Sequence, residues 1–241
     1  MKPWNFLAGL ALALGLNTTI SQAATITAYT GALPPYTIDG TAELPGISHE
    51  LLLEMGARAG VDIKIEYLPW KRAQKTVQET PNAMLFTATR TAKREALYGW
   101  IVEMAAPQEV FVTTDQSVDS FESGAGLSSV AILDGTPRER QLNDQGLTNL
   151  YPVQNTSNAA KMLNAGRVNA WYTLNQRAAW VYKTEDLDPA DLVFGAPQRT
   201  LSNWLASNLE FDPAIAASLA KALDDMRADG TYDAILAKYL N

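Results

Sequence analysis

The chain has 241 residues, a formal net charge of -7 at pH 7, 47% hydrophobic residues and no cysteine. The acidic balance argues against a nucleic-acid partner, while the apolar fraction is sufficient for a normal core. The lack of cysteine excludes disulfides, cysteine nucleophiles, thiolate metal sites and a lipid anchor on an N-terminal cysteine.

Residues 1–23 have the features of a secretory signal peptide. Lys2 precedes an apolar run from Phe6 to Leu16, and small residues surround Ala23. The apolar run is too short to span a bilayer comfortably. We therefore expect the mature protein to lie free in the periplasm, as a monomer without a lipid anchor.

The first predicted strand is Thr25–Tyr29, which alternates and is rich in β-branched residues. A loop with two prolines, residues 31–36, follows and has a fixed path. Tyr36 at its end either lines a pocket or packs in the core. We favour the pocket, because functional side chains are often held on rigid loops above a scaffold.

The next segment, residues 47–59, has apolar residues spaced for one buried face of a helix that ends near Gly60. It contains His49, the only histidine of the chain. No acid or nucleophile pattern accompanies His49, so we expect a solvated residue rather than a catalytic base.

Residues 61–67 alternate between apolar and polar side chains and predict a strand, after which Pro69 and Trp70 begin a helix. Trp70 either belongs to the core or forms a flat wall of a cleft, and its position at a strand-to-helix corner favours the cleft. Lys71 and Arg72 place two cations where they oppose the helix dipole. This makes Arg72 a candidate for contact with an anion.

A second strand-to-helix junction carries the strongest candidate site. The apolar run 83–86 predicts a buried strand, and Thr91 is expected to cap a helix that begins at Ala92. In open α/β sheets, ligands lie beyond the carboxyl ends of strands, where helix amides and a guanidinium can meet an anion. Thr89 and Arg94 would lie there. Taken alone, the segment is equally compatible with Arg94 as an ordinary surface charge.

The second half of the chain repeats strand and helix units, which implies parallel sheets built from βαβ units. The predicted strands are 109–114, 129–133, 150–153, 168–172, 192–194 and 201–207, and helices are predicted from 137, at 157–165, at 175–182 and from 213 to 240 with a break at Gly230.

Thr136 is the predicted N-cap of the helix that begins at Pro137, and Glu139 completes a capping box. A capping box uses the threonine hydroxyl internally. The backbone amides at the helix start nevertheless remain available to an anion.

Four short motifs, in their order and spacing, resemble the small extracytoplasmic solute-binding proteins of ABC importers, a family that includes the polar amino-acid binding proteins. They lie at residues 91–94, 135–136, 166–170 and 226–232. The resemblance implies a two-lobed α/β fold of the type II periplasmic-binding-protein class. Each lobe is a mostly parallel sheet flanked by helices, and two crossing hinge strands join the lobes.

The resemblance divides the chain into lobe 1, residues 24–110 and 199–241, and lobe 2, residues 111–198, with the ligand held between them. It implies a binding role for three residues. Arg94 grips the ligand carboxylate, Thr89 supplies a hydroxyl or amide beside it, and Thr136 completes the site from the second lobe. A bidentate contact explains arginine rather than lysine at position 94.

The chain departs from the amino-acid binders at two positions. Leu174 stands where those proteins carry an Asp that holds the ligand ammonium, and an ammonium buried without a carboxylate is unfavourable. This argues against a standard α-amino acid as ligand. Leu33 stands where an aromatic residue often stacks on the ligand, and Tyr36 and Trp70 are candidate substitutes.

These inferences predict a protein that binds a small polar, carboxylate-bearing solute for a membrane ABC permease, without catalysis, cofactor or metal. One alternative is a secreted, dehydratase-like enzyme on the same scaffold, which would need Glu50, Asp134 or Glu139 buried in the cleft. Another is a sensor that reports ligand status to a membrane receptor.

Overall fold

Two β-sheets organise the computed structural model, which describes residues 25–240. The proposed signal peptide, residues 1–23, lies outside the described residues. The first sheet contains β1 Thr25–Thr30, β2 Asp62–Tyr67, β3 Met84–Thr89, β4 Gly99–Ala105 and β11 Asn203–Ser207. The second contains β5 Gln108–Thr113, β6 Val130–Leu133, β7 Leu150–Val153, β8 Ala170–Leu174, β9 Val193–Phe194 and β10 Arg199–Thr200.

The first sheet has the strand order β2-β1-β3-β11-β4 and the second β10-β5-β8-β6-β7, with β9 paired to β5. In the first sheet β1 is parallel to β2 and β3, and β11 is antiparallel to β3 and β4. In the second, β6 is parallel to β7 and β8, and β5 is antiparallel to β8. Each sheet thus has three parallel strands on one side, and the strands where the chain crosses lie on the other side in antiparallel pairs.

Helices flank both sheets, which confirms the predicted α/β class. They are α1 Ile47–Ala59, α2 Trp70–Glu79, α3 Phe121–Ala125, α4 Pro137–Asp144, α5 Thr156–Asn164, α6 Asn175–Thr184, α7 Pro213–Asp229 and α8 Thr231–Leu240. Helices α6 and α8 pack together, with the rings of Trp180 and Tyr239 centred 5.6 Å apart. This contact joins the helices of the two sheets.

The chain passes between the sheets twice. β4 ends at Ala105 in the first sheet and β5 begins at Gln108 in the second. The return runs from Thr200 at the end of β10 to Asn203 at the start of β11. Both crossings lie within a few residues of the predicted lobe boundaries at 110/111 and 198/199.

The predicted helix at Ala92 is wrong. Residues 91–94 form a turn closed by a hydrogen bond from the Arg94 amide to the Thr91 carbonyl, and only a 3₁₀ turn, Glu95–Leu97, follows. The chain cannot continue as a helix because it enters strand β4 at Gly99 and pairs with β11. Strand β4 itself was not predicted.

His49 is buried, with 7% of its surface exposed, so the expectation of a solvated residue is wrong. Its Nδ1 lies 2.9 Å from the hydroxyl of Tyr67, and the two rings stack. Burial lowers the pKa of His49, and the nearby Glu50 carboxylate opposes part of that shift.

We expect the free energy of unfolding to fall as the pH is lowered from about 7 to about 5. A histidine with a lower pKa in the folded state binds more protons when unfolded. Its contribution is therefore lost as the pH falls below the unfolded pKa of about 6.5 and through the lower folded pKa. Urea unfolding at several pH values gives the free energy of unfolding as a function of pH. This dependence on pH should be weaker for His49→Asn, whose side-chain amide replaces the imidazole beside the Tyr67 hydroxyl. An equal pH dependence in both proteins would show that protonation of His49 is not coupled to folding.

Candidate ligand-binding site

Arg94 lies just beyond the carboxyl end of β3, on the wall of a cavity of about 200 Å³. Its Nη1 donates a hydrogen bond to the Thr89 carbonyl at 3.0 Å, and its guanidinium carbon lies 5.8 Å from the centre of the Trp70 ring. Residues 31–33 and Thr87 line the same cavity. No acidic side chain in the described part of the chain pairs with Arg94, so most of its N–H donors are available to a ligand.

Thr89 and Thr87 form the β3 side of this cavity. The Thr89 hydroxyl donates to Oδ1 of Asn203 at 3.0 Å, which fixes the end of β3 against β11. Thr87 has a φ of 59°, which is rare for a β-branched residue. The pairing of β3 with β11 shifts by one residue here, so Phe86 and Thr87 both lie opposite Leu205. Such bulges redirect side chains beside functional sites, and this one turns Thr87 towards the cavity.

A second cavity, of about 490 Å³, adjoins the first, because Ala32 and Leu33 line both. Thr136 lies on its far wall, at the N-cap of α4. The Thr136 hydroxyl donates to the Leu133 carbonyl at 2.7 Å and accepts from the Glu139 amide at 3.3 Å. The side chain is therefore occupied. Pro137 has no N–H, and the amides of Glu139 and Arg140 are bound to Thr136, so the Arg138 amide is the one left in the first turn of α4 for an anion.

Three helix N-termini meet at the second cavity. β6, β7 and β8 are parallel neighbours, and α4, α5 and α6 begin close to their carboxyl ends. Thr136 at the start of α4, Thr156 at the start of α5 and Arg177 in the first turn of α6 line the cavity wall. Since each helix start carries a partial positive charge, this wall favours anions.

Arg138 and Arg177 add two guanidinium groups to the same wall, and neither was predicted as a site residue. An Nη of Arg138 lies 3.5 Å from the Glu109 carboxylate, and Nε of Arg177 donates to the Pro34 carbonyl at 3.3 Å. Burial, followed by the charge of Arg138, lowers the pKa of Arg177 to about 10, so it remains protonated at neutral pH. Both arginines lie in the first turn of a helix. The dipole argument applied to Arg72 could therefore have found them.

The remaining predicted residues lie apart from these walls. Tyr36 is fully buried in the core, and its hydroxyl has no hydrogen-bond partner among residues 25–240. Arg72 is exposed on α2 and lines neither cavity. The structure thus brings Trp70, Thr89 and Arg94 together and places Thr136 across the adjoining cavity.

The carboxylates considered for an enzyme do not line either cavity. Glu50 is bound by Lys238 and Tyr239, and Glu139 accepts from the Gly135 amide at 2.7 Å. Asp134 is exposed and accepts from Gln154. Glu185 does line the second cavity, but its hydrogen bonds from Lys161 and Ser157 lower its pKa. A general acid needs the opposite shift to act at neutral pH.

The described residues contain no cluster of three or more acidic or histidine side chains arranged to hold a metal ion. None of the helices in residues 25–240 combines the length and apolar character needed to cross a membrane.

The model of the bacterial extracellular solute-binding proteins, family 3, matches residues 26–241. No curated protein matches the sequence.

Solved structures share the fold at low identity. Substrate-binding domain 2 of GlnP from Lactococcus lactis, in an open conformation, has a TM-score of 0.74 at 17% identity, over 91% of this chain and 96% of that chain. An ancestral cationic amino acid solute-binding protein has a TM-score of 0.73 at 19% identity, over 90% and 96%. A histidine kinase sensor domain similar to periplasmic binding proteins has a TM-score of 0.63 at 18% identity, over 91% and 97%. These similarities confirm the predicted type II binding-protein fold.

Proposed function

Because the chain belongs to the bacterial extracellular solute-binding proteins of family 3, we propose that it captures a small solute bearing a carboxylate or another anionic group. The solute occupies the adjoining cavities between residues 31–34 and the start of α4. The observation that carries this proposal is the guanidinium of Arg94, which lies on the cavity wall with a single hydrogen bond to the main chain and no acidic partner among the described residues.

The site residues have distinct roles in this proposal. Arg94 binds the anion, Trp70 covers it as a flat wall, and the hydroxyl of Thr89 holds the strand end in place. The start of α4 after Thr136 supplies the Arg138 amide from the opposite side. Arg72, exposed on α2, stays a predicted contact that lies outside both cavities.

Capture follows from two lobes that close on the solute. Lobe 1 comprises residues 24–110 and 199–241, and lobe 2 comprises residues 111–198. The chain crosses between the sheets at residues 106–107 and 201–202, which are candidate hinges. A solute that bridges both lobes binds the closed form better and shifts the equilibrium towards it.

The transport role extends this proposal. After removal of residues 1–23, the protein acts as a periplasmic monomer that presents the solute to a membrane ABC permease. A solved structure of similar fold is the second substrate-binding domain of a protein assigned as an amino acid ABC transporter from Streptococcus pneumoniae, which supports this role only through the shared fold.

A thermal-shift screen tests the binding function. Organic acids, amino acids, phosphorylated metabolites and small peptides are added to the purified protein, because a ligand that binds only the folded state raises the unfolding midpoint. We expect anionic solutes to stabilise the protein. Stabilisation by neutral or cationic solutes alone would contradict the proposal.

Trp70 should report binding by fluorescence. Its indole lines the Arg94 cavity, so we expect a bound solute to change its emission. The chain has six tryptophans, and Trp70→Phe is therefore compared with Trp100→Phe, which lies outside both cavities. The change should shrink in the first variant, where the remainder comes from Trp180 on the wall of the second cavity, and persist in the second variant. An unaltered change in Trp70→Phe would show that Trp70 does not contact the solute.

A sensor role is the second candidate, favoured by the similarity to a histidine kinase sensor domain. It would use the same cavities, so the ligand site does not separate the two roles. Solute uptake by vesicles that contain a permease, measured with and without the protein, does separate them. Uptake that depends on the protein supports the importer role.

A further inference from the structure

We propose that Arg138 and Arg177 form a second anion-binding subsite in the larger cavity, so that the solute carries two anionic groups, one for each end of the site. This inference rests on the proposed function, because Arg94 takes the first anionic group.

The charges at this wall do not balance. Arg138 has one carboxylate nearby, that of Glu109, at 3.5 Å. Arg177 has no carboxylate partner among the residues that the structure describes, and Glu185 on the same wall is already paired with Lys161. One half-buried guanidinium therefore lacks a carboxylate partner, and an anion bound there would supply one.

The hydrogen-bonding groups at this wall are also largely unused. A guanidinium has five N–H donors, and Arg177 uses only Nε, on the Pro34 carbonyl. The hydroxyl of Tyr36, in the core, is fully buried and lacks a partner among the described residues. Burial raises the pKa of Tyr36, and the charges of Arg177 and Arg138 oppose that shift, so the three groups lie within electrostatic range. The remaining N–H groups of Arg177 and the hydroxyl of Tyr36 therefore have no acceptor among the described residues.

The dipoles of two helices also favour an anion at this wall. Arg138 lies on the first turn of α4 and Arg177 on the first turn of α6, so each guanidinium adds to the positive end of a helix dipole. Like charges at these positions destabilise the empty site. The strand end beside them offers no compensating carboxylate, since β8 ends in Leu174, a core residue with 3% of its surface exposed.

The two subsites are close enough for one small molecule. Ala32 and Leu33 line both cavities, which measure about 200 and about 490 Å³. This size suits a compact molecule of metabolite dimensions. The chemical class that fits is a small dicarboxylate or another short dianion, with no ammonium near Arg177.

Calorimetric titration with matched acids tests the subsite. The probes are the straight-chain dicarboxylic acids with three to six carbons and, for each, the half-amide in which one carboxylate is neutral. We expect at least one diacid to bind about 10-fold or more tightly than its half-amide, as a buried charge contact requires. Arg177→Gln and Arg138→Gln should each reduce this preference. Arg177→Lys should restore part of it.

Arg140→Gln is the matched control, because Arg140 is exposed on the same helix as Arg138 and should leave the preference intact. The unfolding midpoint without ligand shows whether each variant is folded. If Arg94→Ala abolishes binding of both probe types but the native protein does not prefer diacids, the second subsite is wrong and the proposed function stands. If Arg94→Ala does not weaken binding, the proposed function fails. If no diacid binds at all, the subsite is likewise wrong.

Discussion

Replacing Arg94 with alanine is expected to weaken solute binding by about 10²- to 10³-fold, the usual effect of truncating one partner of a buried, hydrogen-bonded charge pair. The fold should be unaffected. Within the protein, the Arg94 side chain makes one described hydrogen bond, to the carbonyl of Thr89, and a contact with the face of Trp70. Its side chain is half-buried and has no acidic partner among the described residues, so its loss leaves no carboxylate unpaired. Calorimetric titration with the best solute from the thermal screen measures the change.

Arg90 provides a matched control four residues earlier. Its guanidinium binds Glu95 and lies over the rings of Trp100 and Trp204, at 5.3 and 4.5 Å from their centres. It lines neither cavity. Arg90→Ala should therefore keep the affinity, whereas Arg94→Lys should lose part of it, because lysine keeps the charge but lacks the planar fork. Equal affinity of Arg94→Ala and the native protein would refute the anion-binding role.

Gly46→Ala is expected to reduce the free energy of unfolding by about 2–4 kcal/mol, from backbone strain combined with overpacking. Gly46 has a φ of +128°, and a Cβ there would lie 2.5 Å from the Tyr36 carbonyl oxygen and 2.7 Å from Cα of Thr37. Its amide also donates to the Tyr239 hydroxyl at 3.0 Å. The obstructing atoms belong to the backbone and cannot move aside cheaply. Urea unfolding at neutral pH measures the loss.

Gly60→Ala separates strain from the steric clash. Gly60 ends α1 with a φ of +68°, but the position that a Cβ would take there has no described atom within 4 Å beyond its own chain neighbours. We expect a loss of only about 1–2 kcal/mol, the effect of a left-handed conformation alone. Equal losses of unfolding free energy in the two variants would show that the close contact between Gly46 and Tyr36 does not add to the effect of backbone strain. The comparison bears on the site because the same loop, bridged between Leu33 and Thr37, lines both cavities.

Local periodicity was sufficient for most of the helices and strands. The alternating run 61–67 corresponds to β2, Asp62–Tyr67, and the proline at position 69 does precede α2. It failed for β4, whose seven residues are mostly half-buried and show no alternation. It also failed after Thr91, where good helix formers are overridden because the chain must rejoin the sheet at Gly99.

The sequence likewise predicts only some residues of the candidate site. Arg94 and Thr89 follow from a general rule, that ligands lie beyond the carboxyl ends of strands in open sheets. Arg138 and Arg177 lie on separate helices, and their proximity depends on how α4 and α6 pack around the same cavity. No local pattern contains that information. The burial of His49 was missed for the same reason, since it depends on stacking against Tyr67 from a different element.

The most direct test of the binding role is a crystal structure with the tightest solute from the thermal screen. We expect an anionic group of the solute within hydrogen-bond distance of the Arg94 guanidinium, and the rest of the molecule between residues 31–34 and the start of α4. A solute bound elsewhere, or bound in these cavities without any contact to Arg94, would contradict this assignment.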